Sequence, residues 1–200
     1  FGLIYLATAR PLPWAVWTGR GLIALSLLHF AWFGFVLHNP LWDPQAVGSI
    51  PVANLLLPSY AIGALAAWVL GREVERAGIA RGRLAGDTVL MALALVFALS
   101  SLRQAFAGSV LVSTPMGETE DLLRSLIGIL VALAFLGWGW WCGQRRWRVG
   151  SLVLMLLAVA KVFLVDAAGL DGLLRVASFL ALGFSLIGIG WIYSRLLRST

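Results

Sequence analysis

Residues 125–142 read SLIGILVALAFLGWGWWC, a run of 18 residues without a charged side chain. At 1.5 Å per residue, an α-helix of this length extends about 27 Å, close to the roughly 30 Å hydrocarbon core of a lipid bilayer. The run shows no alternation of polar and apolar residues, and it is too long for a strand of a membrane barrel. The stretch therefore predicts a transmembrane α-helix.

Further apolar runs of similar length lie on both sides of this one, separated by short polar or charged stretches. The six predicted spans are 21–37, 52–70, 84–102, 125–142, 149–165 and 173–193. Pro58 lies inside the second span, and because proline lacks a backbone donor we expect a kink near residues 54–58. The sequence thus predicts an all-α fold, a polytopic bundle of six full spans within residues 21–198.

The composition points to the same class of protein. Of the 200 residues, 60% are hydrophobic and 12% are charged, whereas a soluble domain has roughly 25% charged residues. A chain of this size has too little interior to bury so many apolar side chains in water. Soluble and disordered classes are therefore excluded, and the single cysteine, Cys142, excludes an intrachain disulfide.

The N-terminal residues do not form a complete span. The stretch 1–9 is apolar but too short to cross a bilayer, and it lacks the basic region and cleavage site of a signal peptide. We interpret residues 1–20 as the tail of a preceding span followed by a cytoplasmic linker. We therefore expect the chain to be the C-terminal part of a larger polytopic protein.

The basic residues are distributed unevenly between the two sides of the predicted bundle. One side carries 11 arginines and the other carries three, and the positive-inside rule places the richer side in the cytoplasm. Most tryptophans fall at the same level as those 11 arginines, where indole rings favour the membrane interface. We therefore predict a cytoplasmic C-terminus and interpret the net charge of +6 as a topology signal, not as a nucleic-acid-binding surface.

The stretch 161–175 places four charged residues at or inside the membrane, namely Lys161, Asp166, Asp171 and Arg175. Ionisable groups at membrane depth are costly and are therefore candidates for function. Lys161 and Asp166 are about 140° apart around a helix, so we expect Lys161 to find its partner on another helix or on the following loop. The cluster is either a neutral clasp joining the last two spans or a substrate, ion or proton site; Lys161 alone could also snorkel to the interface.

Three further residues are binding candidates, each with a plainer alternative. His29, in the first span, either relays protons or binds a ligand, or packs as a neutral hydrogen-bonded residue. Asn54 either contacts a ligand or caps or bridges helices. Arg103 lies across a loop from the acidic stretch 118–121, where it either binds an anionic headgroup or forms exposed ion pairs.

Known catalytic signatures are absent from the sequence: there is no nucleophile elbow, P-loop, zinc-protease motif or dinucleotide fingerprint. His29 and His38 are nine residues apart, and no third metal ligand has suitable spacing. We therefore expect no catalytic residue, no metal and no cofactor, and favour a protein that is not an enzyme. Three glycine pairs with GxxxG spacing occur among the 22 glycines, and since chance gives roughly two they indicate no particular helix contact.

Several motifs of the chain resemble those of one family. They are Val47-Gly-Ser-Ile-Pro51 with Asn54-Leu-Leu-Leu and Tyr60, Leu102-Arg103-Gln-Ala-Phe106, Ala160-Lys161-Val-Phe-Leu-Val-Asp166, Gly169-Leu-Asp-Gly-Leu-Leu-Arg175, Ser178-Phe179, Leu182-Gly183 and Tyr193. Over residues 20–198 they resemble the C-terminal region of a family of large predicted polytopic bacterial inner-membrane proteins of unknown function. The family often has Glu-x-x-x-Tyr-Ser before the fourth span, where this chain has Arg124 in place of the tyrosine.

The resemblance implies an architecture and a bacterial inner-membrane location, but no reaction, substrate or catalytic residue. Our first hypothesis is a membrane module that contributes to transport or envelope assembly through an outward-facing charged cluster. The alternatives are a structural or interaction subunit whose charges only align helices, and an enzyme that acts on lipid-linked substrates at the outer leaflet. The expected partners are membrane lipids and the missing N-terminal part of the same protein or other membrane subunits, and not nucleic acid.

Overall fold

The computed structural model describes residues 13–166 and 173–198, without the side chains of residues 164, 166, 173–175, 178 and 196–198. The α-helices of this described part are α1 (Pro13–His29), α2 (Leu56–Arg76), α3 (Gly82–Ala107), α4 (Glu118–Trp141), α5 (Arg145–Lys161) and α6 (Leu173–Arg198). Helix α1 continues as a π-helix over Phe30–Leu37, and α5 continues as a π-helix over Val162–Asp166.

Three helical stretches are long and apolar enough to cross a membrane, namely Pro13–Leu37, Gly82–Ala107 and Glu118–Trp141. Helix α6 adds the shorter apolar segment Phe179–Arg195. The prediction of an all-helical membrane protein is therefore confirmed. Each predicted apolar run overlaps one helix, but several helices extend into the charged flanks because backbone hydrogen bonding continues beyond the apolar stretch.

The described part of helix α1 reaches back to Pro13, well before residue 21, where the first apolar run starts. The Thr18 hydroxyl donates to the carbonyl oxygen of Trp14 at 2.8 Å, one turn earlier. Residues 13–20 are therefore a helical extension of the first apolar run.

The predicted kink inside the second span is wrong. Helix α2 begins at Leu56, so Pro58 lies in its first turn, where no backbone donor is required. Just before the helix, Asn54 Oδ1 accepts hydrogen bonds from the backbone N–H groups of Leu56 at 2.9 Å and Leu57 at 3.2 Å. Asn54 and Pro58 together start the helix, and the span has no proline in its interior.

The chain divides into two units. The first draws on Phe1–Ser100 and Ala107–Ser113, and the second on Ser101–Phe106 and Thr114–Thr200. The core of the first unit is built around Val47, Leu56, Tyr60, Leu93 and Leu111. The core of the second is built around Ala132, Met155 and Val159 of α4 and α5.

Helices α2 and α3 of the first unit touch backbone to backbone. A Cβ atom added to Gly71 would lie 2.6 Å from the carbonyl oxygen of Gly82, and one added to Gly86 would lie 2.7 Å from that of Ala67. Carbon and oxygen atoms do not approach so closely in real structures, so only glycine fits at these positions. The GxxxG pair Gly82/Gly86 thus forms a close helix crossing of the kind that membrane proteins use.

In the second unit, α4 and α5 form an antiparallel pair. The space beside Gly139 is filled by Trp147 and Arg148, near the turn that joins the two helices. At the opposite end, Ser125 near the start of α4 meets Lys161 at the end of α5. This arrangement places the acidic first turn of α4 beside the end of α5.

Candidate functional site

The second unit gathers charged side chains where α3 and α5 end and α4 begins. We call Arg103, Glu120, Asp121, Ser125 and Lys161 the charge cluster. Its two acids are neighbours in the first turn of α4, where the positive end of the helix dipole favours negative charge. Each acid faces a different base, so the four charges sum to zero.

Lys161 is bound to the start of α4. Its Nζ atom lies 3.1 Å from Asp121 Oδ1 and donates a hydrogen bond to Ser125 Oγ at 2.9 Å. The expectation that Lys161 pairs with another helix is therefore confirmed. The Lys161 and Asp121 side chains remain 33% and 40% exposed, so solvent or a ligand can reach this ion pair.

Arg103 forms the second ion pair of the charge cluster, and this pair is buried. Its Nη1 atom donates to Glu120 Oε2 at 2.6 Å, and the two side chains are only 8% and 1% exposed. Nη2 donates to the carbonyl oxygen of Thr114. The interpretation of Arg103 as part of exposed ion pairs is wrong for Glu120, because helix packing covers both groups.

The burial of Glu120 has no signal in the spacing of the other buried positions of α4. From Ser125 onward these positions recur three or four residues apart, through Gly128, Ala132, Phe135 and Gly139. Counting back from Ser125 at the same spacing reaches Leu122 or Asp121, and Glu120 lies about 140° around the helix from Ser125, so only the packing of the helices shows that Glu120 is buried. Of its carboxylate, Oε2 binds Arg103, while Oε1 is buried and makes no hydrogen bond within the part of the chain that the structure describes.

The other three residues of the predicted cluster in the stretch 161–175 are Asp166, Asp171 and Arg175, and the structure describes none of their side chains. Asp171 lies outside the described residues. Asp166 belongs to the π-helix after α5 and Arg175 to α6, but neither side chain is among those described. A clasp that involves these three residues stays a prediction, while the described contacts connect Lys161 to α4.

His29 and Asn54 belong to the first unit, and the structure does not bring them into the charge cluster. His29 ends α1 with an exposed side chain, and its ring centroid lies 4.7 Å from that of Phe33. Asn54 acts as a helix cap, as one of the two interpretations held. Among the described residues, no three His, Cys, Asp or Glu side chains come together so as to hold a metal ion.

His38, at the other end of the π-helix from His29, contacts a loop carboxylate. Its Nδ1 atom lies 3.1 Å from Asp43 Oδ2, and the Gln45 side-chain amide donates to the same oxygen at 2.7 Å. The hydrogen bond with His38, followed by that from Gln45, lowers the pKa of Asp43 below its usual value. These contacts belong to a polar loop and form no ligand site with His29.

The family of the chain agrees with this membrane architecture. A family model described as "Predicted membrane protein (DUF2339)" matches residues 1–196. The chain belongs to this family. No curated protein and no solved structure matches the chain, so the function of this DUF2339 member has to be argued from its own residues.

Sequence reasoning missed two buried polar contacts of this DUF2339 chain. Asn39 is fully buried, and its Oδ1 accepts from the Tyr60 hydroxyl at 3.4 Å. In the second unit, the hydroxyl groups of Ser151 and Tyr193 lie 2.8 Å apart and join α5 to α6. Asn39 stands before a proline and resembles a loop residue in the sequence, so only its contact with α2 shows that it is part of the packing.

The Asn54 cap has a measurable energetic role. We expect Asn54→Ala to lower the free energy of unfolding by about 1 kcal/mol, because the Leu56 N–H loses its acceptor and the Leu57 N–H keeps only the backbone carbonyl oxygen of residue 54, at 3.3 Å. Denaturant titration of the detergent-solubilised chain measures this difference. Asn54→Asp is the matched control, since its carboxylate can accept the same hydrogen bonds and should retain most of the stability. Equal stability of Asn54→Ala and the wild type would contradict the capping role.

Proposed function

We propose that the chain is the multi-pass membrane module of a bacterial inner-membrane protein for transport or envelope assembly, with the charge cluster as its functional site. The observation that carries the proposal is the half-exposed ion pair between Lys161 and Asp121. Placing charged residues in a membrane module costs free energy, so such residues are candidates for function. A ligand can contact an ion pair that remains accessible to solvent. The buried pair between Arg103 and Glu120 holds in position the helices that carry the half-exposed pair's neighbours in the charge cluster.

The two ion pairs are suited to different roles because they differ in exposure. A partly exposed pair such as Lys161–Asp121 contributes less net stability than a buried one, so a ligand can replace one partner at small cost. A buried pair such as Arg103–Glu120 cannot lose one partner without leaving a charge uncompensated. We therefore propose that Lys161 and Asp121 contact the ligand, while Arg103 and Glu120 hold α3 and α4 in position.

The proposed topology has six spans, with the charge cluster at the outer surface and the C-terminus in the cytoplasm. Helix α4 begins at the charge cluster, and it ends just before Arg145, Arg146 and Arg148. The positive-inside rule favours the cytoplasm for the arginine-rich end, which puts the other end of the helix outside.

A structural or interaction subunit is the second candidate function. The buried Arg103–Glu120 pair favours it, because such a pair mainly aligns the helices that carry it. The two candidates differ in what they require of Lys161. A ligand site needs water access to this residue from the outer side, whereas a purely structural role does not.

Thiol labelling in whole cells tests the proposal. In a Cys142→Ser background, which removes the single natural thiol, we expect Lys161→Cys to react rapidly with a membrane-impermeant maleimide, because only a thiol in contact with water ionises and reacts. Glu118→Cys, on the exposed first residue of α4, is the positive control. Arg145→Cys, at the other end of the α4–α5 pair, should remain unlabelled.

Each outcome of the labelling has a defined meaning. No reaction at position 161 while position 118 reacts would reject the ligand site and leave the structural candidate. Reaction at position 145 but not at position 118 would reverse the proposed orientation.

A further inference from the structure

The turn between α4 and α5 combines tryptophan and arginine in a short stretch. Residues 138–148 hold four tryptophans and three arginines, namely Trp138, Trp140, Trp141, Trp147, Arg145, Arg146 and Arg148. No Asp or Glu occurs in the sequence between Asp121 and Asp166. The helix hairpin thus carries concentrated positive charge at one end, with no acid of its own to balance it there.

The α2–α3 turn, in contrast, has acidic residues beside its arginines. There, Arg76 forms an ion pair with Glu73, and Arg83 Nε lies 3.8 Å from Glu75 Oε1. Arg20 of α1 also pairs with Glu73, at 3.6 Å. Arg76 and Arg83 at that turn are paired within the protein, whereas Arg145 makes no ion pair in the described part of the chain.

The tryptophans of the α4–α5 turn form an ordered surface. The Trp138 ring meets the Trp141 ring edge to face at a centroid distance of 5.8 Å and the Trp147 ring at 6.4 Å. Trp147 is buried, whereas Trp140 and Trp141 are 67% and 84% exposed. The buried Trp147 ring therefore packs against Trp138, and two exposed indole rings lie four and five residues before Arg145 in the chain.

We propose that Trp140, Trp141, Arg145 and Arg146 form a binding surface for the headgroups of anionic phospholipids. Exposed indoles favour the membrane interface, where the ring contacts both acyl chains and headgroups. Guanidinium groups bind phosphate oxygens with paired hydrogen bonds. A lipid with a net negative charge supplies a counter-charge for Arg145, and a zwitterionic lipid does not. This surface is separate from the charge cluster and does not depend on the role proposed for Lys161.

Lipid binding to the purified full chain tests this inference. Native mass spectrometry in a neutral detergent follows how many lipids remain bound during titration with phosphatidylglycerol or with phosphatidylcholine of the same acyl chains. We expect preference for phosphatidylglycerol, reduced about fivefold by Arg145→Gln and about 25-fold by Arg145→Gln with Arg146→Gln. Raising the salt concentration should weaken the preference of the wild type.

The control variant is Arg76→Gln, which removes a positive charge that is already paired with Glu73. It should leave the affinity for phosphatidylglycerol unchanged. The inference is overturned if Arg145→Gln binds phosphatidylglycerol as the wild type does, or if Arg76→Gln loses as much affinity as Arg145→Gln. Because Arg145 is exposed, its single substitution should not disturb folding, and unchanged binding of phosphatidylcholine verifies this.

Discussion

Glu120→Ala should lower the free energy of unfolding by about 3–5 kcal/mol, because it leaves the buried Arg103 guanidinium without its carboxylate. The size of the effect follows from burial: the two side chains are 8% and 1% exposed, so water cannot replace the lost partner. Glu120→Gln should destabilise less, since the amide oxygen still accepts a hydrogen bond from Arg103. Denaturant titration of the detergent-solubilised chain gives the free energy of each variant.

Glu118→Ala is the matched control for Glu120→Ala. Both residues are glutamates in the first turn of α4, but Glu118 is exposed, so its loss should change stability by no more than about 0.5 kcal/mol. The double variant Arg103→Met with Glu120→Leu should be more stable than Glu120→Ala, because apolar side chains of similar size need no compensating charge. A Glu120→Ala variant as stable as Glu118→Ala would refute the buried ion pair.

Gly86→Ala should destabilise the chain by about 1–3 kcal/mol, although alanine is the better helix former by roughly 1 kcal/mol. The added methyl group would lie 2.7 Å from the carbonyl oxygen of Ala67, so α2 and α3 would have to move apart. A backbone atom cannot yield as the end of a flexible side chain can. The loss of close contact should therefore outweigh the gain in helix propensity.

Gly188→Ala in α6 is the control for this prediction. Outside its own helix backbone, a Cβ atom added there meets no atom of the described residues within 4 Å, so its substitution should leave stability unchanged or raise it. Thermal unfolding of both variants in the same detergent measures the difference. If Gly86→Ala is as stable as Gly188→Ala, the close crossing of α2 and α3 is not part of the folded protein.

Much of the charge cluster was within reach of sequence reasoning, but its pairing was not. Helical geometry shows that Asp166 and Lys161 do not share a face of their helix. It therefore predicts a partner for Lys161 elsewhere, and the structure shows this partner on α4. To predict that Asp121 is this partner, one must know that α4 and α5 are antiparallel and that the start of α4 lies beside the end of α5. The sequence places the acidic stretch 118–121 across a loop from Arg103. Which of these acids is buried depends on the face of α4 that packs against the other helices.

The amino-acid sequence is enough to predict the class of the protein, the approximate position of each helix and the residues with costly charges. Apolar content and run length suffice for this, because the energy of placing a segment in lipid is a sum over neighbouring residues. The folded structure is needed to show that Gly82 and Gly86 form a close crossing, and that Glu120 is buried while Asp121 is not. These features depend on distances between residues far apart in the chain, and hydrophobicity says nothing about which faces meet.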